Sequence, residues 1–271
     1  MPTVATTLGS LAYDELGAGP PLVLLAAGGH PRRDFDVIRP ALAAHFRTIA
    51  VDWPGHGDSP APADMATVSA PAFADVLEEV IDALDLGPAA FIGNSVGGFA
   101  AARFAIRRPQ DVTALVLVDC GGFNPSNPAV SSFCWLMGHP GFLRRIYPAF
   151  ATRYMRARTD ADRRILADAK RVGRDRDLAR VVAAVWASFS TPGHDLRGDA
   201  TRITAPTLVT WGRKDPVIPR RVGRKVAATI PGARLVELDS GHVPFSSQTD
   251  QWLHEVLPFL AEAHHLSTPV A

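Results

Sequence analysis

The order of apolar runs and helical phases predicts an α/β fold, with a mostly parallel central sheet and helices on both faces. Three observations carry this expectation. Strand-like and helix-like segments alternate along most of the 271 residues, which is the signature of repeated strand–helix–strand units. The runs Pro21 to Ala27 and Val112 to Val118 are apolar throughout, as strands covered on both faces must be. Between about 123 and 200 the alternation stops, leaving helical phases without a convincing strand. The expected division is a core of residues 1–122 and 201–271, with a helical cap over 123–200 that folds across the strand ends, where open α/β sheets bind ligands.

Taken in order, residues 4–17 read as a short antiparallel pair. The strand 21–27 follows and breaks at Gly28-Gly29-His30-Pro31. Phe35, Ile38, Leu42 and Phe46 recur at three or four residues and predict a helix from Phe35 to His45. Phe46 to Val51 is a strand running into Asp52-Trp53-Pro54-Gly55-His56-Gly57-Asp58-Ser59. Phe73 to Leu86 is an amphipathic helix stopped by Gly87-Pro88. The strand Ala89 to Ile92 leads through Gly93-Asn94-Ser95-Val96-Gly97 into a helix closed by Pro109. After Val112–Val118 and the insertion come a strand 207–212, a helix 220–229, a strand 233–238 and a last helix from Asp250 to about His264.

Composition narrows the class. Apolar residues are 47% and charged residues 20% of the chain, enough for a sizeable core and too apolar for disorder. No run approaches the roughly 18 apolar residues of a membrane span, and the first residues lack the basic and apolar regions of a secretory signal. Cys120 and Cys134 offer neither a disulfide framework nor zinc spacing. The expectation is a cytoplasmic protein that uses no metal or cofactor, with no nucleic-acid or membrane partner and an oligomeric state the sequence leaves open. Residues 141–180 carry eleven Arg and one Lys against five Asp. Aspartates interleaved in helical phase suit a solvated face laced with weak ion pairs, and leave open an entrance that attracts anions.

The segment 93–97 is a G-x-S-x-G pentapeptide between strand and helix, the context of a nucleophile elbow that raises a serine hydroxyl above the sheet. Ser95 is the expected nucleophile. A serine needs a base within hydrogen-bond reach and an acid to orient that base. Among the nine histidines, His242 follows the last strand in the tight turn Asp239-Ser240-Gly241-His242. The orienting acid is expected at Asp215, just past the penultimate strand, with Asp119 as its rival at the end of 112–118. The chain order is then Ser95, Asp215, His242.

With these residues in place the chain resembles the α/β-hydrolase superfamily over nearly its whole length, in the branch of serine-nucleophile esterases and C–C hydrolases that carry a helical cap. The matching motifs are residues 24–31, residues 52–59, the elbow, Gly212-Arg213-Lys214-Asp215 and Gly241-His242-Val243-Pro244. The resemblance implies an oxyanion hole built from the His30 and Val96 amides, with Gly29 the donor if the register slips by one. Gly28 stands where the family has a histidine, and Phe245-Ser246-Ser247-Gln248 replaces an acidic residue common there. His56 and Asp52 are expected to shape and anchor their own loop. The serine excludes relatives that attack with an aspartate.

The insertion is rich in aromatic residues and methionine, which favours a small hydrophobic ester as substrate. Gly29, Trp135, Trp186 and Val243 are expected against the substrate. The arginines leave room for an acidic one, and Gly93-Asn94-Ser95 resembles the C–C hydrolases of ring-cleavage products. Those relatives place a tryptophan after the catalytic histidine, where this chain has Val243, so ester hydrolysis ranks first. From another class, a small-ligand receptor that keeps the three residues is the alternative.

Overall fold

The computed structural model describes residues 1–125 and 127–264. Eight strands form one sheet: β1 (Thr3–Thr6), β2 (Gly9–Leu16), β3 (Pro21–Leu25), β4 (Arg47–Val51), β5 (Ala89–Asn94), β6 (Val112–Val118), β7 (Thr207–Gly212) and β8 (Arg234–Leu238). Their spatial order is β1-β2-β4-β3-β5-β6-β7-β8. β2 runs antiparallel to both neighbours, and β3 to β8 are mutually parallel. The chain therefore steps outward from β3 to β4 on one side and from β5 to β8 on the other. The carboxyl ends of β3 and β5 flank this reversal, the place where an open sheet leaves a crevice.

Helices cover both faces. α1 (Arg39–Ala43) and α10 (Thr249–Ala263) lie on one, α2 (Ala70–Ala83), α3 (Val96–Arg107) and α8 (Arg220–Thr229) on the other. Strand side chains alternate between the two cores as the period of two requires. Leu22 and Leu24 join Trp252 and Val256 beneath α10, while Val23 and Leu25 join Phe73 and Phe99 beneath α2 and α3. Ser69 caps α2 by accepting the Ala72 N–H at 3.1 Å, with Pro71 in the first turn where a missing N–H costs nothing.

The helix expected from Phe35 to His45 is instead a 3₁₀ segment, Arg32–Val37, followed by α1. Pro40 fits only a first turn, so the helix has to restart there. Phe35, Ile38, Leu42 and Phe46 are nonetheless fully buried. The tail of the fold differs in a similar way: a short α9 (Pro244–Ser247) precedes α10.

Between β6 and β7 stand α4 (Pro128–Met137), α5 (Pro140–Met155), α6 (Asp160–Ala169) and α7 (Arg176–Ser188), and no strand among the described residues. One buried tie between these helices and the core is Asp162 on α6. Its carboxylate accepts from the hydroxyls of Ser246 and Ser247 and from the Arg158 and Thr159 amides. Nearby the Thr159 hydroxyl donates to Ser246 O. Removing a fully buried acceptor with four donors strands those donors. Asp162→Ala is therefore expected to lower the unfolding free energy by about 2–4 kcal/mol, read from urea denaturation.

Candidate active site

Ser95 sits at the junction of β5 and α3 with φ 56° and ψ −114°, a conformation a non-glycine residue holds only when its surroundings impose it. Here they do. The Ser95 N–H donates to Val118 O at 2.9 Å, and its carbonyl accepts from Phe99 and Gly121. A Cβ at Gly93 would stand 2.4 Å from Gly97 O, and one at Gly97 would stand 2.2 Å from Leu25 O. The glycines two residues either side of the serine are thus demanded by backbone packed against backbone.

His242 follows β8 in a loop held from two sides. Its N–H donates to Tyr154 O at 3.0 Å, and its carbonyl accepts from Asn94 Nδ2 at 3.1 Å. The imidazole Nδ1–H donates to Asp215 Oδ2 at 2.7 Å, with both side chains buried. Asp215 Oδ1 accepts the Val217 N–H at 2.7 Å, which fixes the carboxylate plane. Ser95 Oγ makes no hydrogen bond to His242 in this structure. Both residues nevertheless line the same cavity.

Asp119 lies within the same cluster but does another job. Both of its oxygens accept the Gly212 N–H, at 3.0 and 3.2 Å. Burial, and then the adjacent Asp215 carboxylate, hold its carboxyl well above the ordinary range. Asp119, Asp215 and His242 bring their ligand atoms within 4.8 Å of one another, the single metal-like cluster among the described residues.

The turn after β3 departs from expectation. Ala27 to His30 is a β-turn closed by the His30 N–H on Ala27 O at 3.1 Å, with Gly29 at φ +85° in the third position, as a type II turn requires. The His30 amide expected at the oxyanion site is therefore already engaged. The Gly29 amide is engaged too, donating to His56 Nε2 at 2.8 Å. Among the described residues the amides of Gly28 and Val96 have no protein acceptor, and both residues line the cavity beside Ser95.

The cavity measures about 330 Å³. Its floor is Gly28, Ser95, Val96 and His242, and its walls are mainly apolar side chains from the helical stretch, Phe133, Phe150, Trp186 and Phe189 among them. Of the four residues expected against substrate, only Trp186 lines it. Trp135 is 61% exposed and packs on His139. Val130, Phe133 and Cys134 form the cavity face of α4, and Trp135, one position on, is turned about 100° away. Val243 is buried in the core beneath α10. Gly29 faces a separate small cavity shared with His56 and Asp168. Tyr147 and Tyr154, two of the insertion's aromatic residues, also line the cavity beside Ser95, and their i, i+7 spacing on α5 places both on one face of the helix. Asn94 is buried, with its amide spent on Val118 O and His242 O.

The chain belongs to the alpha/beta hydrolase fold family, whose sequence model matches residues 20–248, and is a hydrolase of that enzyme family. It is 32% identical to a 2-hydroxy-6-oxononadienedioate/2-hydroxy-6-oxononatrienedioate hydrolase from Cupriavidus pinatubonensis, over 82% of this chain and 80% of that protein. It is 30% identical to a pimeloyl-[acyl-carrier protein] methyl ester esterase from Neisseria meningitidis, over 84% of this chain and 87% of that one. The crystal structure of the enol-lactonase from Burkholderia xenovorans superposes with a TM-score of 0.82 at 26% identity, covering 96% of this chain and all of the other. No helix among the described residues is long and apolar enough to cross a membrane.

His56 holds its loop through a defined tautomer: Nδ1–H donates to Pro54 O at 2.9 Å and Nε2 accepts from Gly29. Complete burial, with smaller opposing and reinforcing contacts, pushes its pKa from 6.5 down to about 4. The imidazole stays neutral in the fold but protonates in the unfolded chain below 6.5, so its contribution to stability falls as pH drops from 6.5 toward 4. Stability of the wild type is expected to fall by about 2 kcal/mol more than that of His56→Gln between pH 7 and pH 5, measured by urea unfolding at the two pH values.

Proposed function

We propose that the chain is a serine hydrolase that cleaves a small, largely apolar ester through an acyl-enzyme. The observation that carries this reading is the meeting of Ser95 with the Asp215-paired His242 in one apolar cavity at the helix α3 N-terminus. Ser95 Oγ attacks the ester carbonyl and its proton passes to His242 Nε2, while Asp215 accepts from Nδ1 and stabilises the imidazolium. The developing oxyanion takes hydrogen bonds from the Val96 and Gly28 amides, the two that remain undonated, and gains from the positive end of α3. His242 then protonates the departing alcohol. Water, deprotonated by the same imidazole, releases the acid and restores Ser95. The named esterase and lactonase relatives support acyl chemistry at such a site.

The 32% identical hydrolase of an oxo-dienedioate supports a second reading, cleavage of a C–C bond in a carboxylated diketone. The buried, fully engaged Asn94 and the core position of Val243 keep it second, since neither side chain reaches the cavity.

The test is steady-state hydrolysis of p-nitrophenyl esters from acetate to decanoate. A short-chain optimum is expected from the cavity size. Ser95→Ala and His242→Ala are each expected to lose about 10⁴-fold or more in kcat with the fold retained by circular dichroism; full activity in folded Ser95→Ala would overturn the reading. Asp215→Asn is expected to lose about 10²–10⁴-fold, and Asp119→Asn much less, because Asp119 does not touch the imidazole. The reverse ranking would transfer the orienting role to Asp119.

A further inference from the structure

A second aspartate–histidine pair lies against the same cavity, and the reaction described above does not use it. His30 Nδ1 is 2.5 Å from Asp34 Oδ2, and His30 Nε2 is 2.7 Å from the Tyr154 hydroxyl. His30 and Asp34 are 1% and 3% exposed. Tyr154 sets its ring edge to face on His242, 5.7 Å between centroids, and gives its carbonyl to the His242 amide. His30, Tyr147 and Tyr154 all line the cavity with Ser95.

Proton accounting fixes which way this array points. Tyr147 spends its one hydroxyl hydrogen on Gly28 O at 3.0 Å, so it can only accept from Tyr154, at a long 3.3 Å. Asp34 Oδ1 is buried without a partner. A lone carboxylate there, beside a neutral imidazole, would bury an uncompensated charge at high cost. Burial, opposed by His30, accordingly raises the Asp34 carboxyl above its ordinary range. A proton held on the short His30 Nδ1–Asp34 Oδ2 contact relieves that charge. With that proton on Asp34 Oδ2 and given to Nδ1, Nε2 of His30 carries the ring hydrogen and donates to the Tyr154 oxygen. The phenol hydrogen of Tyr154 is then released from His30, with only the long contact to Tyr147 competing for it. A phenol whose oxygen already accepts a hydrogen bond is also a stronger donor.

We propose that Tyr154, backed by His30 and Asp34, is a specificity-determining hydrogen-bond donor for a second acceptor oxygen of the substrate, a carbonyl or carboxylate apart from the scissile group. This rests on the reading of the cavity as the substrate site. It makes the preferred substrate an oxo-ester or a half-ester rather than a plain alkyl ester. In a wall that is mainly apolar, with Asn124, His194 and Arg221 also on it, one buried donor of this kind favours ligands that satisfy it and penalises ligands that leave it unpaired.

The test is calorimetric binding to the Ser95→Ala protein, which needs no turnover. The ligands are methyl hexanoate, methyl 3-, 4- and 5-oxohexanoate, and the monomethyl esters of glutaric and adipic acid. At least one ligand with a second acceptor is expected to bind about 10-fold or more tightly than methyl hexanoate, and that ratio is expected to collapse toward one in Ser95→Ala/Tyr154→Phe. Preference for the oxo-esters alone assigns the site to a neutral carbonyl, and preference for the half-esters alone to a carboxylate. In protein labelled with ¹³Cζ-tyrosine, whose three tyrosines give three signals, the preferred ligand is expected to shift the signal that Tyr154→Phe removes. Equal binding of all six ligands to Ser95→Ala overturns the proposal even if the double variant does not fold, as does a ratio that survives in it. Because binding is read without catalysis, loss of the ester-hydrolase reading would appear only in the turnover assay.

Discussion

The close approach of three backbones at the end of β5 is the constraint on which the site depends. Gly93 and Gly97 touch each other, and Gly97 also meets the last carbonyl of β3, so α3 can leave the sheet at only one angle. Ser95 is forced to positive φ at that corner, which costs on the order of 1–3 kcal/mol. The bonds to Val118, Phe99 and Gly121 hold it there. Strain at the serine is thus maintained by sheet order: β3 and β6 must flank β5 for those partners to exist. The same junction leaves the first amides of α3 without intrahelical acceptors, at the positive end of the helix and beside the cavity.

A second dependence links the helical stretch to the imidazole. The end of α5 supplies the carbonyl that binds the His242 amide, and α6 supplies the carboxylate that binds Ser246 and Ser247 a few residues beyond. The helices that wall the cavity therefore also position the loop bearing His242. Tyr154 joins both functions, with its backbone on His242 and its phenol on His30. The two histidine–aspartate pairs differ in a plain electrostatic respect. Asp215 has an amide on its second oxygen and a tightly held imidazole on its first, whereas Asp34 keeps one oxygen buried with no partner at all.

Sequence order alone left Asp119 and Asp215 in competition, since each ends a strand on the same edge of the sheet. Both do reach the neighbourhood of His242. Which carboxylate faces Nδ1 depends on the direction in which each loop leaves its strand. Asp119 turns back onto the Gly212 amide, while the Pro216-bearing loop carries Asp215 toward the imidazole. The β3 turn is a comparable case. Two glycines before His30 leave several turn types open, and only the partner across the chain, His56, shows that the Gly29 amide faces away from the cavity.

What the sequence by itself determined was everything carried by local pattern. The strand and helix alternation, the two-faced burial of β3 and β6, the glycine-flanked serine and the loop positions of Asp215 and His242 follow from periodicities and turn chemistry acting over a few residues. What only the tertiary structure decided was everything carried by direction and pairing across the chain. Helical phase relative to neighbours turned Trp135 outward and Phe133 inward. Pro40 split one expected helix without exposing its apolar face. A long-range partner, His56, took up the Gly29 amide, and packing brought Asp34 and Tyr154 to opposite nitrogens of one imidazole. A hydrogen bond between residues 124 positions apart has no local signature, because its geometry exists only after the sheet and its helices have packed.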